Sequence, residues 1–408
     1  MARVFINLID NLLYKKNKKM IILRPEEFGG IAFNTKNANE IYLDRQLFDQ
    51  LLKTTGSKTE TKDTKKVLQQ LGVTNPIFEI LGKISSTKKT FPFPILSGPT
   101  LADIHITDKC NLNCPHCYVK KGNREMTAAN FELTLNQCQK LGIFQIAIGG
   151  GEPTLHPKLG KFLKIARQKN IVPNITTNGK RLSWRTVYYL ARYAGAVALS
   201  IEETGQKFAQ RRGFTYANFL KSVKKLKAAG INLVFQITLS RGNLDTVNHT
   251  AKELLKFKPY GLIFLAYKPQ GNGKHYDAPL SQADTNQVNQ TIARLFTDLN
   301  KKTRIGFDCC LTPALIKQKN SPSFSGCSAA RTSLAIMPNL DVIPCSFLNQ
   351  QPNAGNLKQK SLLAIWQGDK FNNFRDEILK KYSQTQCQNC SAQKQCLGGC
   401  PAFNLVKC

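Results

Sequence analysis

Between residues 99 and 300 short β-rich runs alternate with amphipathic helical runs, and this alternation restricts the fold more than any other feature of the chain. "ADIHIT" reads as a strand, "TAANFELTLNQCQKLG" as a helix closed by Gly142, and "FQIAIGGGEP" as a strand ending in glycines. "KLGKFLKIARQKN" and "VPNITTNG" repeat the pattern, and "SWRTVYYLARYAG", "AVALSIE", "YANFLKSVKKLKAAG", "NLVFQITLS", "VNHTAKELLKFKP" and "GLIFLAYKPQGNG" continue it. Strand and helix in strict succession predict an α/β fold with a mostly parallel sheet. About six βα steps fall short of the eight of a closed TIM barrel, so a partial (β/α)6 barrel is expected.

The flanks differ in character. Residues 1–85 form a predicted separate α+β unit. "MIILRPEEFGGIAFN" and "EIYLD" suit two or three strands turning at Gly29-Gly30 and Asn37-Ala38-Asn39. Two helices follow, carrying Leu47, Leu51 and Leu52, then Val67, Leu68 and Leu71, with the polar "TTGSKTETKDTKK" between them. Residues 86–98, rich in proline, read as a linker, and residues 301–408 as a turn-rich, cysteine-rich tail. With 408 residues and 42% hydrophobic content the chain can fill two or three cores.

No apolar run approaches the roughly 20 residues of a membrane helix. "RVFINLIDNLL" near the start is too short and too polar for a signal, so a cytoplasmic protein without a membrane partner is expected. Nine of the 13 cysteines lie in the last hundred residues, several at C-x2-C spacing, which favours metal over disulfides in a chain this large. The net charge of +32 favours acidic partners, an acidic peptide or a nucleic acid. Lysines in every segment also suit ordinary solvated helix faces.

"DKCNLNCPHCYVKKG" sets Cys110, Cys114 and Cys117 in a C-x3-C-x2-C run in the loop after the first core strand, at the mouth where barrels collect reactive groups. A closed structural site takes four protein donors, and three leave one position for something else. This run resembles that of the radical S-adenosylmethionine superfamily, and so do "GGGEP", "TTNG", "ALSIEE" and "LAYKPQGNGK" at successive strand ends. The resemblance implies a 4Fe-4S cluster on the three cysteines, its open iron chelated by S-adenosylmethionine, with Tyr118 as the aromatic residue that follows. It implies that Gly149, Gly150, Gly151 and Glu152 hold the methionyl amino group, glycine letting backbone carbonyls approach closely. Asn178 belongs to the third strand end, Ser200 and Glu202 would hold the ribose, Arg212 the methionyl carboxylate, and the sixth strand end would pass the adenine.

Cys327, Cys345, Cys387, Cys390, Cys396, Cys400 and Cys408, with "AGNL", "SLLAIW" and "CLGGC", resemble the SPASM domain. That implies two auxiliary 4Fe-4S clusters: one on Cys327, Cys345 and Cys400 with Cys310 or Cys309 as fourth ligand, Cys310 preferred, and one on Cys387, Cys390, Cys396 and Cys408. Adjacent Cys309 and Cys310 are not expected to share a cluster readily. Two zinc sites are the competing reading. Leu340 replaces the glycine of the family's hairpin turn, so a turn of another geometry is expected. Ser346 follows Cys345 where sulfatase-maturing relatives carry a catalytic aspartate, which argues against that activity. Cys138, mid-helix, reads as buried core.

These resemblances imply one-electron cleavage of S-adenosylmethionine to a 5′-deoxyadenosyl radical, hydrogen abstraction, and onward oxidation through the tail clusters. The N-terminal unit resembles the RiPP recognition element, which adds the leader of a precursor peptide as an extra strand. The partners expected are thus a precursor peptide with an acidic leader and an electron donor such as flavodoxin or ferredoxin. Glu203, Asp308 and Tyr267 are the candidate bases. Modification of RNA or a small molecule, and a zinc-stabilised binding module, are the alternatives.

Overall fold

The computed structural model of the chain describes residues 20–56, 60–74, 76–86, 89–276, 279–299, 301–316 and 326–403. The early run "RVFINLIDNLL" and Cys408 lie outside the described residues. Strands β1 (Met20–Glu26), β2 (Gly29–Asn34) and β3 (Glu40–Asp44) form an antiparallel meander, with Ala38 taking the positive φ of 60° that its turn requires. The helices Arg45–Gly56 and Lys62–Leu71 bury Leu51, Val67, Leu68 and Leu71 on this sheet. The second helix starts inside the polar run, where the Thr61 hydroxyl accepts from the Thr64 amide and the Thr64 hydroxyl accepts from the Thr61 amide. A fourth strand, β4 (Ile77–Ile80), pairs parallel with β1 and gives the order β3-β2-β1-β4. Four residues are too few to show a period, so this strand was not foreseen.

This unit is tied to the barrel by a buried ion pair. Arg24, fully buried, meets Glu26 at 2.8 Å and donates to the carbonyls of Gly98 (2.8 Å), Pro99 (3.0 Å) and Gly142 (2.8 Å). Glu26 accepts from the amide and hydroxyl of Ser97, each at 3.0 Å. Phe33 stacks on Phe144 of the barrel at 4.8 Å. The proline-bearing connection buries Phe93 and Leu96, so its described part is a packed strap.

Seven strands then run parallel: β5 (Leu101–Thr107), β6 (Gln145–Gly150), β7 (Val172–Thr177), β8 (Val197–Ile201), β9 (Leu233–Leu239), β10 (Gly261–Ala266) and β11 (Arg304–Phe307). The first six are those expected. The helix Thr285–Leu299 adds a crossover that brings β11 alongside β10, beyond residue 300. On the other side β12 (Ser333–Ile336) pairs parallel with β5, and β13 (Asp341–Ile343) and β14 (Gly355–Asn356) continue antiparallel, so the sheet ends on β11 and β14 as an open barrel. The tail is thereby seated on the first barrel strand.

The β12–β13 turn corrects one expectation. Leu340 takes φ 72°, the left-handed geometry expected of glycine, and its amide donates to the Met337 carbonyl at 2.9 Å. Its side chain is fully buried in the main core. Burial of a leucine side chain contributes roughly 2 kcal/mol, which offsets a left-handed cost of about 1–2 kcal/mol. Cys138 is fully buried in its helix, Ala128–Lys140, as expected.

Candidate functional site

Strand ends β5 to β10 open on a cavity of about 340 Å³, lined by Cys110, Cys114 and Cys117, the Gly149–Glu152 turn, Asn178, Ser200 and Arg212. The cysteine loop lies across the glycine turn: Gly151 N donates to Thr107 O at 2.7 Å and Glu152 N to Lys109 O at 2.8 Å. A Cβ on Gly150 would stand 2.2 Å from Thr107 O, and one on Gly151 would stand 2.2 Å from Lys109 O. Two of the three glycines therefore serve the chain's own cysteine loop, while Gly149 faces open space with nothing within 4 Å of a Cβ. That is the glycine a ligand can approach.

Glu152 is buried and bridges two strand ends, accepting from Thr177 Oγ1 (2.6 Å), Asn178 N (2.7 Å) and Thr154 N (3.0 Å). Burial raises its pKa despite these donors. Asn178 in turn donates to Asn111 Oδ1 at 2.9 Å and approaches Cys110 Sγ at 3.9 Å. Arg212 grips Glu202 through two bonds, one of them 2.7 Å from Nε, and reaches Cys114 Sγ at 3.8 Å through Nη1. His116 Nε2 lies 3.2 Å from the same carboxylate. Burial alone would raise the Glu202 pKa, but Arg212 and His116 outweigh it and hold the group down at about 2. Ser200 and Arg212 face the cavity, whereas Glu202 does not line it and is occupied by Arg212 and His116.

The cysteine loop fits an iron-sulfur cluster with a further ligand. Two of its buried polar atoms, Asn111 Nδ2 and His116 Nδ1, have no partner. Two cavity-lining side chains, Asn178 and Arg212, aim N–H donors at sulfur. Buried donors without partners are uncommon unless a ligand or water meets them.

In the tail the sulfurs of Cys309, Cys310 and Cys400 lie within 4.8 Å of one another, the one such group among the described residues. Thiol hydrogen bonds from Cys309, Cys310 and Cys327 lower the Cys400 pKa, and those of Cys309, Cys310 and Cys327 lie well above the ordinary value. Burial raises that of Cys345 to about 12. Both adjacent cysteines therefore reach the first auxiliary set. Cys387, Cys390 and Cys396 sit on and between two short helices, Thr385–Gln388 and Gln393–Cys396. Cys110, Cys114, Cys117, Cys309, Cys310, Cys327, Cys345, Cys390 and Cys400 are free thiols.

The three candidate bases are all engaged. Asp308 accepts from Lys268, Ala266 N (2.9 Å) and Cys310 N (3.0 Å). Tyr267 donates to Gly273 O, and Glu203 accepts from Arg211 (2.5 Å) and Thr246 (2.9 Å). Tyr267 lines the cavity, as does Asp103 of β5, which accepts from Ser346 Oγ at 2.8 Å. Burial outweighs that hydrogen bond and pushes its carboxyl up to about 6. His105, two residues on, is pushed down to about 4 by burial and Arg124, and lies 3.4 Å from Tyr118 OH. The missed signal was two polar residues at alternate positions in a core strand, the period of one face. Tyr118 packs on Phe347 at 4.6 Å, and the Lys268 ammonium lies 4.1 Å from the centre of that same ring.

An open β/α barrel that lines its mouth with three cysteines, an open glycine edge and unpaired polar atoms fits an iron-sulfur cluster with a site left for a small ligand. Residues 104–254 match the radical SAM superfamily, and residues 327–391 match the SPASM iron-sulfur cluster-binding domain. The chain carries a radical SAM domain and a SPASM domain, which imply 4Fe-4S clusters and S-adenosylmethionine as cofactors. It is 26% identical over 330 residues to the PqqA peptide cyclase of Streptomyces rochei, covering 77% of this chain and 88% of that one. It is 25% identical over 320 residues to the mycofactocin maturase MftC of Mycobacterium tuberculosis, covering 75% and 79%. Its fold matches Streptococcus suis SuiB, a structure bound to precursor peptide SuiA, with a TM-score of 0.70, 22% identity and coverage of 93% and 94%. Among the described residues no helix is long and apolar enough to cross a membrane.

Proposed function

We propose that the chain is a peptide-modifying radical SAM/SPASM enzyme that oxidatively crosslinks or otherwise alters a ribosomally made precursor peptide, in the reducing cytoplasm. One observation carries this reading: a single cavity is walled on one side by Cys110, Cys114 and Cys117 and on the other by Ser346 and Phe347, the two residues after Cys345. A substrate there touches both the cofactor site and the auxiliary-cluster domain. Bound cluster and S-adenosylmethionine supply one-electron hydrogen abstraction from an unactivated C–H bond.

The chain's own residues supply the rest. Arg212 and the open edge at Gly149 would orient the cofactor, and Asn178 and Arg212 aim donors at the Cys110 and Cys114 sulfurs that would hold the cluster. Asp103 is the carboxylate placed to take a proton from a substrate in the cavity. Lys268 keeps a permanent positive charge beside Phe347 and the tail cysteines. The ligand sets expected for the two tail clusters are retained, with Cys309 and Cys310 both available to the first. The outer edge of β3 pairs with no strand among the described residues, and Phe28 and Tyr42 stack at 6.0 Å while exposed. A leader peptide adding there would gain backbone hydrogen bonds and an aromatic contact. Homology to a peptide cyclase and a maturase supports the same substrate class. An electron donor of the flavodoxin or ferredoxin type completes the system.

Co-expression with short peptides encoded beside the gene, followed by mass spectrometry, tests the reading. A mass loss of hydrogens or a small fragment is expected. Unchanged peptides alongside active S-adenosylmethionine cleavage would refute it.

A further inference from the structure

The two tryptophans have opposite fates: Trp366 is fully buried, and Trp184 is 63% exposed. Tyr188, one turn along the helix Trp184–Tyr193, is 49% exposed, while Val187 and Leu190 are buried in the main core. An exposed Trp and Tyr at i and i+4 form an aromatic ridge of the kind enriched at interfaces. Around it the charge has one sign. Arg181 and Arg185 are exposed, and Lys225 holds its ammonium 5.5 Å from the Trp184 ring centre while donating to Leu182 O at 2.9 Å. From Pro153 to Leu244 the only carboxylates in the chain are Glu202 and Glu203, both buried and paired inside the protein. The lysines are spread along the chain, but the acids are not. The residues this segment exposes are therefore aromatic, basic or neutral, with no exposed acid among them.

The segment that leads into the ridge touches the cysteine loop. Lys180, four residues before Trp184, reaches Asn111 O at 3.4 Å, and Asn178 bonds Asn111 and approaches Cys110 Sγ at 3.9 Å. Resting on the function proposed above, we propose that this face docks an acidic, low-potential electron-carrier protein bearing a flavin or iron-sulfur group. The carrier loses one electron, the cluster on Cys110, Cys114 and Cys117 gains it, and no bond in the protein changes. Charge complementarity selects the partner and speeds encounter, and the exposed aromatics give the docked carrier a desolvated centre. An RNA could also use bases on aromatics and phosphates on arginines. Adjacency to the redox loop favours the carrier.

The test uses the cluster-loaded enzyme with reduced, purified acidic flavodoxin or with dithionite, and measures 5′-deoxyadenosine formed. The variants are Arg181→Glu with Arg185→Glu, and separately Trp184→Ala. At low ionic strength each is expected to raise the KM for flavodoxin about tenfold with little change in kcat. The parent's KM should rise with salt. Dithionite-driven rates should match the parent. An unaltered flavodoxin KM, or dithionite rates falling in parallel, would overturn the proposal. RNA or anionic vesicles bound by the parent and lost in the charge-reversed variant, with flavodoxin KM unaltered, would overturn it too. No 5′-deoxyadenosine from the parent with dithionite would overturn the radical reading of the site, and this proposal with it.

Discussion

Asp103→Asn should make the protein more stable and much less active. The Asp103 carboxyl, ordinarily at 3.8, is pushed up to about 6 by burial that its hydrogen bond from Ser346 only partly offsets. The fold therefore holds the proton more tightly than the unfolded chain does. Stability from this group is complete below 3.8 and is lost as pH rises through 6. At pH 7 ionised Asp103 costs up to about 3 kcal/mol, and water in the cavity reduces that to roughly 1–2 kcal/mol. Asparagine keeps the shape and an acceptor for Ser346 while removing the charge. Anaerobic thermal denaturation of the cluster-loaded protein should show a gain of about this size at pH 7, about half as large at pH 5. Peptide modification should fall about 10²–10⁴-fold, the range for losing a general base. Peptide-independent S-adenosylmethionine cleavage should keep its rate. A variant less stable than its parent, or peptide modification within about threefold of it, would refute the reasoning.

Arg212→Met leaves Glu202 buried beside His116 alone and should cost about 3–5 kcal/mol in urea unfolding, with much of it regained in Arg212→Met/Glu202→Leu. Gly151→Ala forces a Cβ to 2.2 Å from Lys109 O and should displace the cysteine loop. Iron analysis should then show loss of about a third of the metal, the tail clusters remaining. Arg24→Met strands Glu26 and three carbonyls, so the N-terminal unit should become protease-sensitive near residues 83–98 while the barrel core resists, as read by limited digestion. Leu340→Gly relieves a left-handed leucine but removes its buried side chain, for a net loss of about 1 kcal/mol in denaturant unfolding.

Much of the barrel could be read directly because its period is local: strand and helix alternate on a scale that neighbouring residues set, and the cysteine run falls at a strand end for the same reason. β4 and β11 escaped because four-residue strands carry too little pattern, and their partners β1 and β10 identify them. The glycine turn was legible as a turn, but not that Gly150 and Gly151 yield to the chain's own carbonyls while Gly149 faces open space. Asp308, Tyr267 and Glu203 looked as available as any acid or phenol until their partners were seen. Asp103 looked like strand filler until Ser346, far along the chain, was found beside it.

Residue order alone thus settled the barrel and the thiol runs, since each depends on spacing along the backbone, and the family resemblance those runs carry supplied the cofactors. Folding in three dimensions settled which carboxylates are spent on ion pairs and which, Asp103 and Glu152, line the cavity. A side chain's protonation and free valences depend on neighbours contributed by remote segments, and no linear reading contains those distances.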